Sequence, residues 1–448
     1  MDDFICKIVV LDDDPTGIQT VNGVSVYTDW SDDSIREGFK EKNNLFFLLT
    51  NSRAMTEEET IATHRLIGER IVKAAEEMKL PFLLISRGDS TLRGHYPVET
   101  ETLRRTIENI SNIRYDGEII CPFFPQGGRY TSGNIHYVSI NGSLVPAGET
   151  EFARDKTFGY KNSHLGKWVE EKSGGKFAWE KQCYIELETL RDRDYARIEE
   201  QLLQVRDFNK VIVNAMSYED LYVFRTALFR VLKSGKQFLF RTAAAFVQVM
   251  GEIGDRPLLT AGELLDKDNR NGGLIVIGSH VQKTTEQLNE LMTLEEVIPI
   301  PFFSGLVRHP VRFAEEKKRV QDYMEEELAA GHTVAVYTER RLLVPDSDDP
   351  EDALRLSLLI SDAVTGFVQN LKVRPRIIIA KGGITSSEVG VKGLGVRRAC
   401  VAGQILPGIP VWKTGEESKF PGLPYVIFPG NVGEKDSLKA IVSDLMKR

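Results

Sequence analysis

An α/β protein of two domains, each built on a largely parallel sheet, is the fold class this sequence predicts, and three observations carry it. Short runs of branched apolar residues alternate with stretches of helical periodicity along most of the chain, the pattern of βαβ units. At 448 residues the chain is too long for one ordinary hydrophobic core. Between Gly251 and Gly273 the alternation lapses into Gly, Asp and Asn before it resumes, so the boundary is placed there, giving domains 1–250 and 272–448.

The first strand is Ile8 to Leu11, which runs into Asp12-Asp-Asp14 and is turned by Pro15 and Gly17. Adjacent carboxylates repel, so a fold that holds three at a strand end offsets them with a cation, a basic cluster or a substrate. In open α/β sheets that edge is where ligands bind. A solvated acidic turn is the plainer reading. Val24 to Thr28 reads as a second strand, followed by a polar connection through Lys42. Leu45 to Leu49 is a buried strand opening into Thr50-Asn-Ser-Arg-Ala54. Thr56 and Glu59 have capping-box spacing, and Ile67, Ile71 and Ala75 continue a helix. The strand Pro81 to Ile85 enters Ser86-Arg-Gly-Asp-Ser-Thr-Leu-Arg-Gly94, so three strands end in polar loops expected on one sheet edge.

A strand from Glu118 to Phe124 leads into a loop over 125–134, and Asn141-Gly142 marks a hairpin. Residues 149–182 have weak periodicity and read as a loop or lid. Helix 194–205, strand 211–214, helix 220–232 and strand 237–241 follow. Beyond the boundary come strand 274–277, a helix from Thr284, strand 297–302, helix 315–330, strand 333–337, a long helix over 350–370, and strands at 376–380, 400–405 and 425–428.

Composition narrows the function. A net charge of -8, without a basic run interleaved with aromatics, argues against a nucleic-acid partner, while local basic clusters leave small anions open. Met1-Asp-Asp-Phe-Ile-Cys-Lys7 carries acids where an export signal needs positive charge, and no apolar run reaches membrane-spanning length. Cys6, Cys121, Cys183 and Cys400 form no Cys-x-x-Cys pair, which fits free thiols in a reducing compartment and a cytoplasmic protein. The seven histidines show no metal-ligand spacing. A homo-oligomer is neither required nor excluded.

Two clusters of residues carry chemistry. In the second half, the strand Ile377 to Ala380 enters Lys381-Gly-Gly-Ile-Thr385, and Thr385 with Glu388 again has capping-box spacing, so a glycine-rich loop would feed a helix start and suit phosphate. An ordinary tight turn is the alternative. Gly278-Ser-His280 and Pro429-Gly-Asn-Val-Gly433 could complete the pocket; neither a Walker A nor a Gly-x-Gly-x-x-Gly motif is present. In the first half, Arg53, Arg87, Arg93 and Arg129 follow strands. With Asp12 and Asp13 they could hold an acidic, hydroxylated small molecule, or they could neutralise the acids within the fold. The hydroxyls and amides of Asp89-Ser-Thr91 and Asn51-Ser52 favour ligand binding. His95, His136 and His280 lie beside these loops.

Asp12-Asp-Asp-Pro-Thr16 and Leu48-Leu-Thr-Asn51 also fit a haloacid-dehalogenase-like phosphatase, with Asp12 as nucleophile, Asp14 as acid/base and Mg²⁺ as counterion. No Gly-Asp-x-x-x-Asp metal motif follows, and that reading leaves the glycine-rich second half without a role.

Taken together, Asp12-Asp-Asp-Pro-Thr-Gly17, Asn51-Ser-Arg53, Asp89-Ser-Thr-Leu-Arg-Gly94, Pro122-Phe-Phe-Pro-Gln-Gly-Gly-Arg129, Lys381-Gly-Gly-Ile-Thr385 and Pro429-Gly-Asn431 give a chain that resembles the four-carbon acid sugar kinase family over nearly its full length. The resemblance implies a sugar-acid-binding N-terminal domain, a nucleotide-binding C-terminal domain, an active site in the cleft between them, and ATP with Mg²⁺ phosphorylating a terminal hydroxyl. By position, Asp13 would position or deprotonate that hydroxyl, with Asp12 the second catalytic candidate. Arg53, Arg87, Asp89, Ser90 and Arg93 would bind the acid, Arg53 and Arg93 clamping its carboxylate. Ser279, Gly382, Gly383, Ile384, Thr385 and Gly430 would bind ATP. Arg87 stands where the family usually has Lys, keeping the charge with a bulkier, planar group. A sugar-acid-binding protein without activity is the non-enzymatic alternative.

Overall fold

Continuous branched and aromatic runs set the strands of the first unit. The computed structural model describes residues 6–340, 350–430 and 432–447, and the chain divides into two compact units, Met1–Asp255 and Arg256–Arg448. In the first unit β1 (Lys7–Asp12), β2 (Ser25–Tyr27), β3 (Leu45–Leu49), β4 (Phe82–Arg87) and β5 (Gly117–Cys121) come first. β6 (Arg129–Ser132), β7 (Ile135–Ile140) and β8 (Ser143–Pro146) form a small antiparallel sheet of their own. β9 (Cys183–Ile185), β10 (Asn209–Val213) and β11 (Phe238–Thr242) return to the main sheet, whose order is β2-β3-β1-β4-β11-β5-β10-β9. Each of these neighbours is parallel. Every residue of β1 is buried, as a strand covered on both faces requires. Ile67 and Ile71 of helix Glu57–Met78 and Leu103 and Ile107 of helix Val98–Ile110 share a core with Val9, Leu11 and Leu84 of the sheet.

The chain passes from β1 through β2 to β3 on one side, then crosses to β4 on the other. The direction of winding therefore reverses around β1, the position where open α/β sheets leave a crevice at the strand ends. The polar loops after β1, β3 and β4 consequently share one edge, as expected.

Local signals hold well. Thr56 and Glu59 form the capping box, and Asn141 and Gly142 both take positive φ in the tight turn between β7 and β8. Three expectations need correction. The polar connection after β2 contains a helix, Asp32–Lys40, capped by Ser31; only Ile35 and Phe39 give it large apolar contacts, too few to show a period. The loop over 125–134 contains β6. Residues 149–182 are not an open lid, because helix Leu165–Lys172 buries Leu165, Trp168 and Val169, with Trp168 stacked on Tyr96 at 4.5 Å between ring centroids. Its apolar residues are irregularly spaced, which hid the packing.

The second unit holds β12 (Leu274–Ile277), β13 (Val297–Phe302), β14 (Thr333–Thr338), β15 (Ile378–Lys381), β16 (Arg398–Leu406), β17 (Ile409–Thr414) and β18 (Pro424–Phe428). Their order is β13-β14-β12-β15-β18-β17-β16; the first five are parallel and the last two antiparallel. Here the winding reverses between β12 and β15, so the loops after these two strands flank the second crevice. β17 and the helix Ser437–Met446 were not anticipated. Thr385 does not cap a helix: helix Gly383–Glu388 already includes it, Gly382 precedes the helix, and Glu388 reaches Lys392 at 2.7 Å instead.

Candidate functional site

β1 carries Asp12 and Asp13 to the crevice edge of the first unit, where they are 1% and 2% exposed. Arg87 ends the neighbouring β4 in register with Asp12. Its Nη1 lies 3.0 Å from Asp12 Oδ1 and 3.1 Å from Asp13 Oδ1. After β3, Asn51 takes φ 55° and starts a tight turn, Ser52–Ala54, that swings Arg53 onto the same acids. Arg53 donates from Nη2 to Asp13 Oδ1 at 2.8 Å and from Nε to Asp13 Oδ2 at 3.2 Å, and its Nη1 is 3.5 Å from Asp14. Asp14 closes its own turn by accepting from the Thr16 amide at 2.8 Å and hydroxyl at 2.6 Å. Gly17 makes this approach feasible, since a Cβ there would fall 2.1 Å from Asp12 Oδ1.

Asp12 differs in its electrostatics from Asp14 and from Asp89 on the next strand's loop. Burial pushes the Asp12 carboxyl up to about 7; the charges of Asp13 and Asp14 add to this, and Arg87 opposes it. Asp12 Oδ2 is buried without a hydrogen bond. Burial also works against the charge of Asp14 and Asp89, but Arg53 with Thr16 in the first case, and Arg53 with Arg93 in the second, outweigh it and hold both carboxyls below their usual range.

Asp89 accepts from Arg93 Nε at 2.7 Å and from the Thr91 hydroxyl. Ser90 is buried, its carbonyl 2.8 Å from His136 Nε2. Burial depresses His136 to about 4, so it is a neutral support for the loop. His95 likewise contacts the Met55 carbonyl at 3.0 Å. The ion pairs that would neutralise these acids are present for Arg53, Arg87 and Arg93, with Arg53 forked onto Asp13. One participant was missed. Arg241 on β11 binds Ser86 Oγ at 2.9 Å and pairs with Glu99, whose other oxygen accepts from Ser52 at 2.6 Å. A cation ending a buried apolar strand was the signal for it.

In the second unit three loops converge. A Cβ on Gly382 would lie 2.9 Å from Ser279 Cβ, and one on Gly430 would lie 3.4 Å from Ser279 Oγ and 4.0 Å from Gly382 Cα. Thr385 Oγ1 comes as close to Gly278, 2.4 Å from the position a Cβ would take. Ser279, Gly382, Thr385 and Gly430 are therefore close neighbours across three loops, Gly383 follows Gly382 along the chain, and Ile384 is 68% exposed. Asn431 lies outside the described residues. Thr284 fixes the last loop by donating to the Gly430 carbonyl at 3.1 Å. Lys381, fully buried, donates to the carbonyls of Pro429 at 2.5 Å and Gly430 at 3.3 Å. Burial, reinforced by Lys283, lowers its pKa to about 7. His280 Nδ1 and Arg340 Nη1 are buried without partners at the same edge.

Among the described residues no three His, Cys, Asp or Glu side chains gather to hold a metal ion, and the acids of the Asp12 to Asp14 run are taken by Arg53, Arg87 and Thr16.

Residues 8–250 match the family described as the sugar-binding N-terminal domain, and residues 274–438 match the nucleotide-binding C-terminal domain. The chain belongs to the four-carbon acid sugar kinase family. Its two units thus comprise a sugar-binding and a nucleotide-binding domain. Among solved structures it is similar to Haemophilus influenzae protein HI1011, of the DUF1537 family, at 15% identity and a TM-score of 0.65, covering 98% of this chain and 100% of that one. A Salmonella typhimurium LT2 protein described as a candidate tRNA synthase matches at 14% identity and a TM-score of 0.67, covering 98% and 99%. At such identities the likeness is one of fold. No curated protein matched the sequence. Among the described residues no helix is long and apolar enough to cross a membrane.

Proposed function

We propose that this protein is an ATP-dependent kinase that phosphorylates a terminal hydroxyl of a four-carbon acid sugar of the threonate, erythronate or 3-oxo-tetronate type. The observation that carries the reading is the convergence of Ser279, Gly382 and Gly430 at the winding reversal of the nucleotide-binding unit, in a chain whose sugar-binding unit places a carboxylate–arginine cluster at its own reversal. Glycine-lined loops let a polyphosphate approach backbone amides closely, and phosphoryl transfer depends mainly on positioning and charge. Asp13 orients the acceptor hydroxyl and takes its proton as the oxygen attacks the terminal phosphorus and ADP leaves. Arg53 and Arg87 hold Asp13 in place. Asp89, Ser90 and Arg93 bind the acid, and Ser279, Gly382, Gly383, Ile384, Thr385 and Gly430 bind ATP.

The phosphatase alternative requires Asp12 to attack in line. Gly17 packs directly over both oxygens of its carboxyl, a Cβ there falling 2.1 and 2.2 Å from them, which weighs against that role. ADP release measured against a panel of tetronates, 3-oxo-tetronates and longer aldonates tests the kinase. Silence across the panel, with phosphate released from phosphorylated acids instead, would overturn it.

A further inference from the structure

Five arginines lie in the polar cluster of the first unit, and four of them have a carboxylate partner within it. Arg53 forks onto Asp13, Arg87 bridges Asp12 and Asp13, Arg93 holds Asp89, and Arg241 holds Glu99. Arg129, the first residue of β6, is different. Its guanidinium makes no hydrogen bond or ion pair with any described residue, and its Nε is buried with no partner. Burial works against its charge, Asp89 acts in the opposite sense, and the nearby charge of Arg93 adds to the burial effect. The group is nonetheless held in place: its central carbon lies 5.5 Å from the centroid of the Phe152 ring, and that of Arg93 lies 5.1 Å from the same ring.

A guanidinium carries five donors, and leaving a buried one unpaired is costly, the more so where the group is charged. Stacking on an aromatic face fixes the plane of the fork while leaving its edge free to bind. Arg93 is only partly used, since its Nε serves Asp89 and Thr91 and its Nη1 lies 3.7 Å from Asp155. The geometry points to Arg129, with Arg93 on the same Phe152 ring, as the seat of the substrate's carboxylate, which would accept two parallel bonds from the Arg129 fork. This rests on reading the first unit as a sugar-acid site and deepens it by naming the residue that separates an acid from a neutral polyol. It also leaves Arg53 and Arg87 to the hydroxyl end, where Asp12 and Asp13 already engage them.

Titration calorimetry on the full chain, with erythronate and threonate against erythritol and threitol, tests this. The wild type should bind at least one acid in preference to its alditol. Arg129→Met should weaken that acid roughly 10- to 100-fold and erase the preference, with ATP affinity unchanged. Arg129→Lys, which keeps the charge without the fork, should fall between. Wild-type acid affinity in Arg129→Met, equal binding of acid and alditol by the wild type, or no acid binding at all would each overturn the proposal. If Arg129→Met no longer folds, Phe152→Leu should still raise the acid Kd several-fold, and an unchanged Kd would count against the inference. ADP release recorded alongside separates the two readings. Acid binding through Arg129 without ADP release removes the kinase and keeps this site; turnover by Arg129→Met at the wild-type KM does the reverse.

Discussion

Arg53 grips Asp13 through two donors, Nη2 at 2.8 Å from Oδ1 and Nε at 3.2 Å from Oδ2, while Arg87 Nη1 stands 3.1 Å from Oδ1. A carboxylate held this way is fixed in direction before any substrate arrives, which is what positioning an acceptor hydroxyl requires. Asp13→Asn keeps the shape but cannot accept the proton and weakens both arginine bonds. ADP release should fall by at least ~100-fold, the lower end for loss of a general base. ATP affinity, read by titration, should stay within about twofold. A near wild-type rate would remove Asp13 from the chemistry.

Asp12, next to it, should act on stability. Its carboxyl titrates at about 7 in the folded chain against the usual 3.8. Between those pH values the folded state keeps a proton that the unfolded chain has lost, so stability declines as pH rises from about 4 to about 7 and is level above. The full effect is on the order of 4 kcal/mol at most, at about 1.4 per pKa unit. Asp12→Asn lacks this decline, and Arg87 still has Asp13. Its melting temperature should therefore exceed that of the wild type at pH 8, with the gap closing toward pH 4. A gap that stays constant with pH would contradict the assigned cause.

How much of this was legible in the sequence follows from the range of each interaction. The capping box of Thr56 and Glu59 and the Asn141-Gly142 turn depend on neighbours within a few residues, and both were readable. The buried runs of β1, β3 and β4, with polar loops behind each, were readable because a two-faced strand leaves a continuous apolar signature. Arg53 meets Asp13 across 40 positions and Arg241 meets Glu99 across 142, so which arginines were spent and which stayed free was not encoded locally. The misread cap at Thr385 has the same origin. The helix start is set by the approach of Gly382 to Ser279, two loops about 100 residues apart, rather than by the four residues that follow.

Lys210 and Glu118 make a second long-range commitment away from the candidate site. Both are 0% exposed, with Nζ 2.6 Å from Oε2, and Nζ also sits 3.7 Å from the Phe208 ring centroid and 4.1 Å from that of Phe177. Tyr96 donates to the same carboxylate oxygen at 3.2 Å. Lys210→Met would leave a buried carboxylate without its cation, which costs about 3–5 kcal/mol. Thermal melting should show a large loss for Lys210→Met and recovery of most of it in the double variant Lys210→Met/Glu118→Leu. Equal losses in both would mean that the packing of Lys210, and not its charge, is what matters.

Two separate constraints exclude a side chain at Gly382. Its φ is 122°, where L residues are strained by about 1–3 kcal/mol, and a Cβ would stand 2.9 Å from Ser279 Cβ. Gly382→Ala must therefore push the Ser279 loop away from Gly382 and disturb the convergence of loops that the polyphosphate would meet. ATP affinity should drop at least ~10-fold, equivalent to about 1.4 kcal/mol, while binding of the sugar acid to the other unit is unaffected. Nucleotide titration of the variant checks this. Wild-type ATP affinity in Gly382→Ala would place the nucleotide away from these loops.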